Sequence, residues 1–273
     1  MKMTRLTIFL AVIFPLTVFT GQAALAQDTT GFSRQEIEYA KSNPDYFTID
    51  PASIRLTLLE TTEAPDMSYV KLHEANRPLD GILVTIDNII NIAEKIWKIV
   101  EANKPVVNIE SKYATAYPEG ITAAAQLNSW SKPKVFSYAF YAENVYGSVM
   151  INVKYKAAFA YNGNYKGKGK YLTAVAVIPT VVEVGWGYKF YMSAAVPDST
   201  VTNVGTQADP VAAMQLKLNW KIATVLKESD GTSVYYVQGD GFYDEIASPW
   251  KVKEVKVEEL NSAAPLLTPE KVF

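Results

Sequence analysis

The residues with the clearest potential to bind a ligand lie in a strand-like segment that contains two glycines. Glu183 precedes Gly185, Trp186 and Gly187. Glycines on one face of a strand leave room for a ligand beside the carboxylate, or for close packing of another strand or helix. Close packing is the commoner use, and both interpretations stay open. These four residues are the candidate ligand-binding site, with a carbohydrate or another small molecule as the expected ligand.

A second group of candidate residues consists of carboxylates between positions 239 and 245. Asp240, Asp244 and Glu245 carry oxygen atoms of the kind that Ca²⁺ prefers. Their spacing lacks the alternating ligands and distant Glu of an EF-hand loop. Calcium is therefore the one candidate cofactor, and these three residues are its candidate ligands.

The sequence offers few residues for catalysis through histidine or cysteine. His73 is the single histidine and cysteine is absent, which removes thiolate zinc sites, disulfides and cysteine nucleophiles. No Gly-x-Ser-x-Gly motif is present to indicate a Ser-His-Asp triad around His73. Glycoside hydrolysis needs only two carboxylates, so a hydrolase with carboxylates near Glu183 remains an alternative. The sequence favours a binding protein over an enzyme.

Charge bears on the possible anionic partners. Lys and Arg total 26 against 28 Asp and Glu, a formal charge of −2, which argues against a nucleic-acid-binding protein held by phosphate contacts. Residues 166–170 alternate Lys and Gly, but strand-like sequence follows them, whereas a P-loop leads into a helix. We interpret these lysines as protection of a sheet edge, with contact to an anionic surface as the alternative.

The N-terminus has the pattern of a secretory signal peptide. Lys2 and Arg5 precede an apolar stretch at 8–19, and residues 24–26 form a small-x-small cleavage site. The apolar stretch is too short for a membrane anchor, so we expect residues 1–26 to be cleaved and membrane association to be absent. An exported chain without cysteine fits the bacterial periplasm or cell surface.

Two helices are predicted before residue 105. Ser33 and Glu36 form a capping box, which opens a short helix through about Lys41. Between 82 and 102, apolar residues recur every three or four positions, which predicts a long amphipathic helix packed on a sheet. The residues of that apolar stripe are Leu83, Ile86, Ile90, Ala93, Trp97 and Val100.

After residue 105 the apolar period becomes two, which is typical of half-buried strands. Hairpin signals occur at 162–164 and at Asp230-Gly231, and the first of these predicts that Tyr155 lies opposite Tyr171. The predicted strands are 53–60, 106–113, 134–142, 149–161, 165–177, 180–192, 214–226, 233–238 and 250–257. This pattern predicts an antiparallel β-sandwich, with a β-barrel as the alternative fold.

The predicted organisation is a mixed region at 27–104, an antiparallel β domain at 105–260 and a flexible tail at 261–273. The leading hypothesis is an exported non-enzymatic protein that mediates protein association, assembly or self-association through a tyrosine-rich sheet face or edge. One alternative is a module that binds a carbohydrate or a small ligand. An outer-membrane β-barrel is the second alternative, because its strands alternate in the same way.

Overall fold

Two antiparallel β-sheets dominate the computed structural model, which describes residues 31–63, 71–72, 74, 81–106 and 112–248. In chain order the strands are β1 (Arg55–Glu63), β2 (Thr85–Ile90), β3 (Ile96–Glu101), β4 (Lys104–Pro105), β5 (Ala114–Glu119), β6 (Lys134–Glu143), β7 (Val149–Tyr165), β8 (Lys168–Val184), β9 (Tyr188–Ala195), β10 (Thr202–Asn203), β11 (Ala212–Thr224), β12 (Glu228–Gln238) and β13 (Tyr243–Ala247). Sheet I has the order β1-β6-β7-β8-β5-β2. Sheet II has the order β13-β12-β11-β9-β3-β4, and β10 pairs with β11 beside this path.

The predicted antiparallel β-sandwich is confirmed. Neither sheet closes on itself within the described residues, since β1 and β2 are the edges of sheet I and β13 and β4 the edges of sheet II. One hydrophobic core joins the inner faces of both sheets. Its residues follow the period of two, because successive side chains of a strand point to opposite faces.

The short helix predicted by the capping box is present as α1 (Arg34–Ser42). The Ser33 Oγ accepts a hydrogen bond from the Glu36 backbone N–H at 3.2 Å, and the Ser33 N–H donates to the Glu36 carboxylate at 2.6 Å. These bonds satisfy two backbone donors at the start of the helix. After Asn43, a 3₁₀ turn (Pro44–Phe47) carries the buried Phe47.

The long helix predicted at 82–102 is wrong, because this region forms β2 and β3. Two short strands and the turn between them place apolar residues at intervals that imitate a helix. Many of these residues are isoleucines, whose branched side chains favour strands. Leu83, expected in the buried stripe, is 86% exposed. The Asn91 side chain fixes the turn by accepting from the Ala93 N–H and donating to the Glu94 carbonyl.

The predicted loop between β7 and β8 is also wrong. The turn lies at Lys166 and Gly167, which have φ of 49° and 80°, and both central residues of a type I′ turn need positive φ. Tyr155 lies opposite Pro179 rather than Tyr171. Because β7 and β8 are interior strands of sheet I, the lysines at 166–170 lie at a hairpin tip and do not protect a sheet edge.

Two further turns differ from the sequence predictions. Gly231 lies inside β12 opposite Trp220, and the chain reverses between Thr224 and Glu228 instead. The row predicted at 180–192 is divided between β8 and β9. The predictions for residues 1–26, His73, 250–257 and the tail at 261–273 lie outside the described residues, as does most of 106–113.

Candidate functional site

The predicted site around Glu183 is divided between an exposed strand end and a packed turn. The glycines lie in the turn that joins β8 to β9. A Cβ atom on Gly187, which has φ of +79°, would lie 2.4 Å from Phe47 Cε1, and a Cβ atom on Gly185 would lie 2.3 Å from Met150 Cε. The space beside each glycine is therefore filled by a side chain of this protein, which is the packing interpretation.

Trp186 belongs to an aromatic patch formed with the N-terminal segment. Its ring lies 5.6 Å from that of Tyr39 in an edge-on contact and 5.8 Å from that of Phe47. The Tyr46 hydroxyl donates to the Trp186 carbonyl at 3.2 Å, and the Tyr188 hydroxyl donates to the Tyr46 carbonyl. Burial raises the pKa of Tyr188 above its ordinary value, so this hydroxyl stays protonated and acts as a donor.

Glu183 itself lies on an exposed part of sheet I. Its carboxylate accepts a hydrogen bond of 2.7 Å from the Asn152 side-chain amide on the neighbouring strand. This cross-strand bond accounts for the position of the carboxylate. The structure therefore brings Gly185, Trp186 and Gly187 together in a packed turn, with Glu183 at the adjoining strand end.

The predicted calcium ligands do not converge. The Asp240 carboxylate accepts from the Phe242 N–H at 3.0 Å within the turn before β13. Asp244 and Glu245 are successive residues of β13, so their side chains point to opposite faces of the sheet. Within the described ranges, no three His, Cys, Asp or Glu side chains form a group that could hold a metal ion.

Four tyrosines form a hydrogen-bonded cluster between the sheets, which the sequence did not single out. The hydroxyls of Tyr155 and Tyr235 lie 2.7 Å apart, and those of Tyr138 and Tyr243 lie 2.8 Å apart. Burial raises the pKa of Tyr155 and Tyr235 well above the ordinary value. The cluster is neutral and closely packed, which suits a core element. Each of these tyrosines lies on the inward-facing side of its strand. The sequence carries no signal for which hydroxyl of the opposite sheet each one meets.

The edge strand β1 is the most exposed strand of sheet I. All its residues except Leu56 are exposed, and Leu58 and Leu59 expose 49% and 53% of their surface. One side of β1 pairs with β6, and a register shift between Leu58 and Glu60 leaves Leu59 without a partner in that pairing. Among the described residues, no strand pairs with the other side of β1.

β1 is also the longest edge strand of the described sheets. It has nine residues, against six in β2, five in β13 and two in β4. Short edges, lysines and prolines commonly protect a sheet from pairing with another chain. β1 contains neither lysine nor proline, and its protections are the bulge and three other charged residues, Arg55, Glu60 and Glu63. It is therefore the edge best suited to pair with a further strand.

A cleft of about 490 Å³, lined by both polar and apolar groups, lies on the outer face of sheet II. We call it the sheet II cleft. Strands β3, β9, β11 and β12 form its floor, and the pairing of these strands aligns Lys98, Ser193, Asn219 and Thr232 in one row. The Thr232 hydroxyl donates to the Asn219 side-chain oxygen at 2.7 Å. The sequence analysis did not single out these four residues.

Comparisons with protein-family models, curated proteins and solved structures found no match to this chain. In the described part of the chain, no helix combines the length and the apolar character needed to cross a membrane.

Proposed function

We propose that this protein is an exported, non-enzymatic β-sandwich that associates with a second copy of itself through β1, in the bacterial envelope or at the cell surface. The observation that carries the proposal is the free, exposed edge of β1 among the described residues. An exposed edge strand offers backbone N–H and C=O groups to another strand. The signal-peptide pattern at 1–26 supports export.

The sequence of β1 suits pairing with its own copy. Two copies can run antiparallel about Leu59, which lies at the centre of the nine-residue strand. The bulge at Leu59 puts Arg55 and Glu63 on opposite faces of the sheet, since their partners in β6 are seven positions apart. The pairing therefore depends on backbone hydrogen bonds between the two copies of β1 and on the contact at Leu59, which a two-fold axis makes symmetric.

Apolar contact lies at the centre of this pairing. Leu59 of one copy faces Leu59 of the other at the two-fold axis. Leu59 is the bulge residue that β6 does not pair with, and half of its surface is exposed. Association would remove this apolar surface from water, at about 25 cal/mol per Å² buried.

The first test compares two exposed leucines in sedimentation equilibrium. Leu59→Lys places two ammonium groups against each other at the proposed axis, so we expect the dimer to be lost. The matched control is Leu226→Lys, because Leu226 is similarly exposed, at 47%, but lies between β11 and β12. We expect that variant to dimerise like the native protein. A native protein that stays monomeric at about 100 µM, a concentration that detects weak dimers, contradicts the proposal.

The second test addresses the register through Arg55. This residue pairs with Glu143 of its own chain at 3.5 Å and lies on the opposite face of β1 from Glu63. Arg55→Glu should therefore leave the dimer Kd within about twofold of the native value. A tenfold change in Kd would show that β1 pairs in another register.

A further inference from the structure

We propose that the sheet II cleft binds an uncharged oligosaccharide. This site lies on the sheet opposite to β1, and the proposal is independent of self-association. Its volume of about 490 Å³ falls within the range of about 300–1,000 Å³ that is typical of small-ligand sites. The cleft is open along a sheet face, which suits an extended ligand.

The polar groups of the cleft are arranged in two parallel rows. The first row, from Lys98 to Thr232, crosses four strands, which at a spacing of about 4.8 Å makes it about 14 Å long. The second row contains Tyr191, Lys221 and Asp230 on the neighbouring positions of β9, β11 and β12. A ligand lying between the rows would meet polar side chains on both sides.

Charges of both signs lie in and beside the cleft, which disfavours a charged ligand. The Lys98 ammonium lies 2.5 Å from the Glu101 carboxylate, and the Lys221 ammonium lies 3.0 Å from that of Glu228. Asp230 adds an exposed carboxylate to the lining. An anionic ligand would face the carboxylates and a cationic ligand the ammonium groups. A neutral ligand avoids both repulsions.

The hydrogen-bonding groups suit hydroxyl groups on the ligand. A hydroxyl both donates and accepts, so it can bind the carboxylate of Asp230 and the ammonium of Lys221 alike. The bond from Thr232 to the Asn219 oxygen orients the Asn219 amide with its NH₂ group as a donor. Tyr191, with the Lys221 ammonium 5.1 Å from its ring centre, supplies an apolar wall. Such mixed surfaces suit sites that bind polyhydroxylated ligands.

The test is calorimetric titration of the purified protein with maltotriose, cellotriose and triacetylchitotriose. At least one of these uncharged trisaccharides should bind with a Kd of about 1 mM or tighter. Asn219→Ala removes a direct donor, and Thr232→Val removes the bond that orients it while keeping a strand-favouring side chain. Each variant should weaken binding about tenfold.

The matched control is Lys217→Ala, because Lys217 lies on the same face of β11 beside Ala195 and Val234 and outside the cleft. It should leave the Kd within about twofold. Leu59→Lys, the variant expected to lose the dimer, should do likewise, which separates this site from β1. Three results overturn the proposal: no trisaccharide binds at about 10 mM, cleft variants bind normally, or only a trimer of galacturonate binds.

Discussion

The two faces of sheet II can be compared residue by residue, because neighbours along a strand point to opposite faces. On β11, Leu218 and Trp220 are buried against sheet I, at 1% and 3% exposure. Between and beside them, Asn219 and Lys221 point outward and line the cleft. The same strands therefore serve two purposes, since the inner face fills the core and the outer face presents hydrogen-bonding groups.

This difference separates stability from binding at the level of single residues. Substitutions on the inner face remove packing or buried hydrogen bonds, which are the common causes of large losses in stability. Outer-face substitutions should leave the free energy of unfolding nearly unchanged and act on binding instead. Adjacent inner and outer residues thus form matched pairs. Equal losses in the free energy of unfolding for the two members of a pair would contradict this separation.

The largest expected effect is at Trp97 in β3, which is 4% exposed and lies opposite the buried Ala194. Trp97→Ala should lower the free energy of unfolding by about 3–5 kcal/mol, because it deletes a large core side chain. Lys98, its outward neighbour, forms an exposed ion pair with Glu101, and Lys98→Ala should stay within about 0.5 kcal/mol. Urea unfolding measures both. Equal losses in the two variants would mean that Trp97 does not face the core.

A second pair, on β12, tests how closely the core is packed. A Cβ atom on Gly231 would lie 2.5 Å from the Trp220 ring, and the buried indole has little room to move. Gly231→Ala should therefore cost about 1–3 kcal/mol by overpacking. Asp230→Ala, on the exposed outer side, should cost less than about 0.5 kcal/mol. If Gly231→Ala leaves the free energy of unfolding unchanged, the core accommodates the added methyl group without strain.

The alternation that underlies these pairs could be read from the sequence, whereas the partners of the strands could not. β11 and β12 are long, with 13 and 11 residues, so their period of two stands out clearly. β2 and β3 have six residues each, which is too short to distinguish two strands and a turn from a helix. Their isoleucines carried the missing signal, because β-branched residues favour strands.

Contacts between distant residues explain the other differences. The sequence left open whether Gly187 serves a ligand or packing, and Phe47, from the N-terminal segment, decides for packing. The hairpin register depends on several register shifts between β7 and β8, which a count of residues from the loop cannot supply. The sheet II cleft exists only because four strands pair in register.

A third pair compares neighbouring tyrosines of β12. The Tyr235 hydroxyl pairs with that of Tyr155 in the core, whereas the Tyr236 hydroxyl accepts from the Gln238 side chain on the outer face. Tyr235→Phe leaves the Tyr155 hydroxyl buried without this partner, so we expect a loss of about 1–2 kcal/mol. Tyr236→Phe should cost less than about 0.5 kcal/mol. Thermal and urea unfolding should rank the variants in this order.

The last prediction uses alkaline pH to probe the same tyrosines. Burial raises the pKa of Tyr155 and Tyr235 well above the ordinary value, which is about 10. Above about pH 10 these tyrosines ionise in the unfolded chain but not in the folded one, so the unfolded state is favoured. Each should reduce the free energy of unfolding by about 1.4 kcal/mol per pH unit from there until pH reaches its folded pKa.

Below about pH 9 both states keep these hydroxyls protonated, so the stabilising contribution is complete and does not vary with pH. Urea unfolding between about pH 8 and 11 measures the slope.

The double variant Tyr155→Phe/Tyr235→Phe should have a shallower alkaline slope, by about 1.4 kcal/mol per pH unit for each hydroxyl removed. Replacing both partners also avoids leaving an unpaired hydroxyl in the core. If the double variant and the native protein lose stability at the same rate, the two hydroxyls reach solvent, and the inner face of sheet II is less closed than its packing indicates.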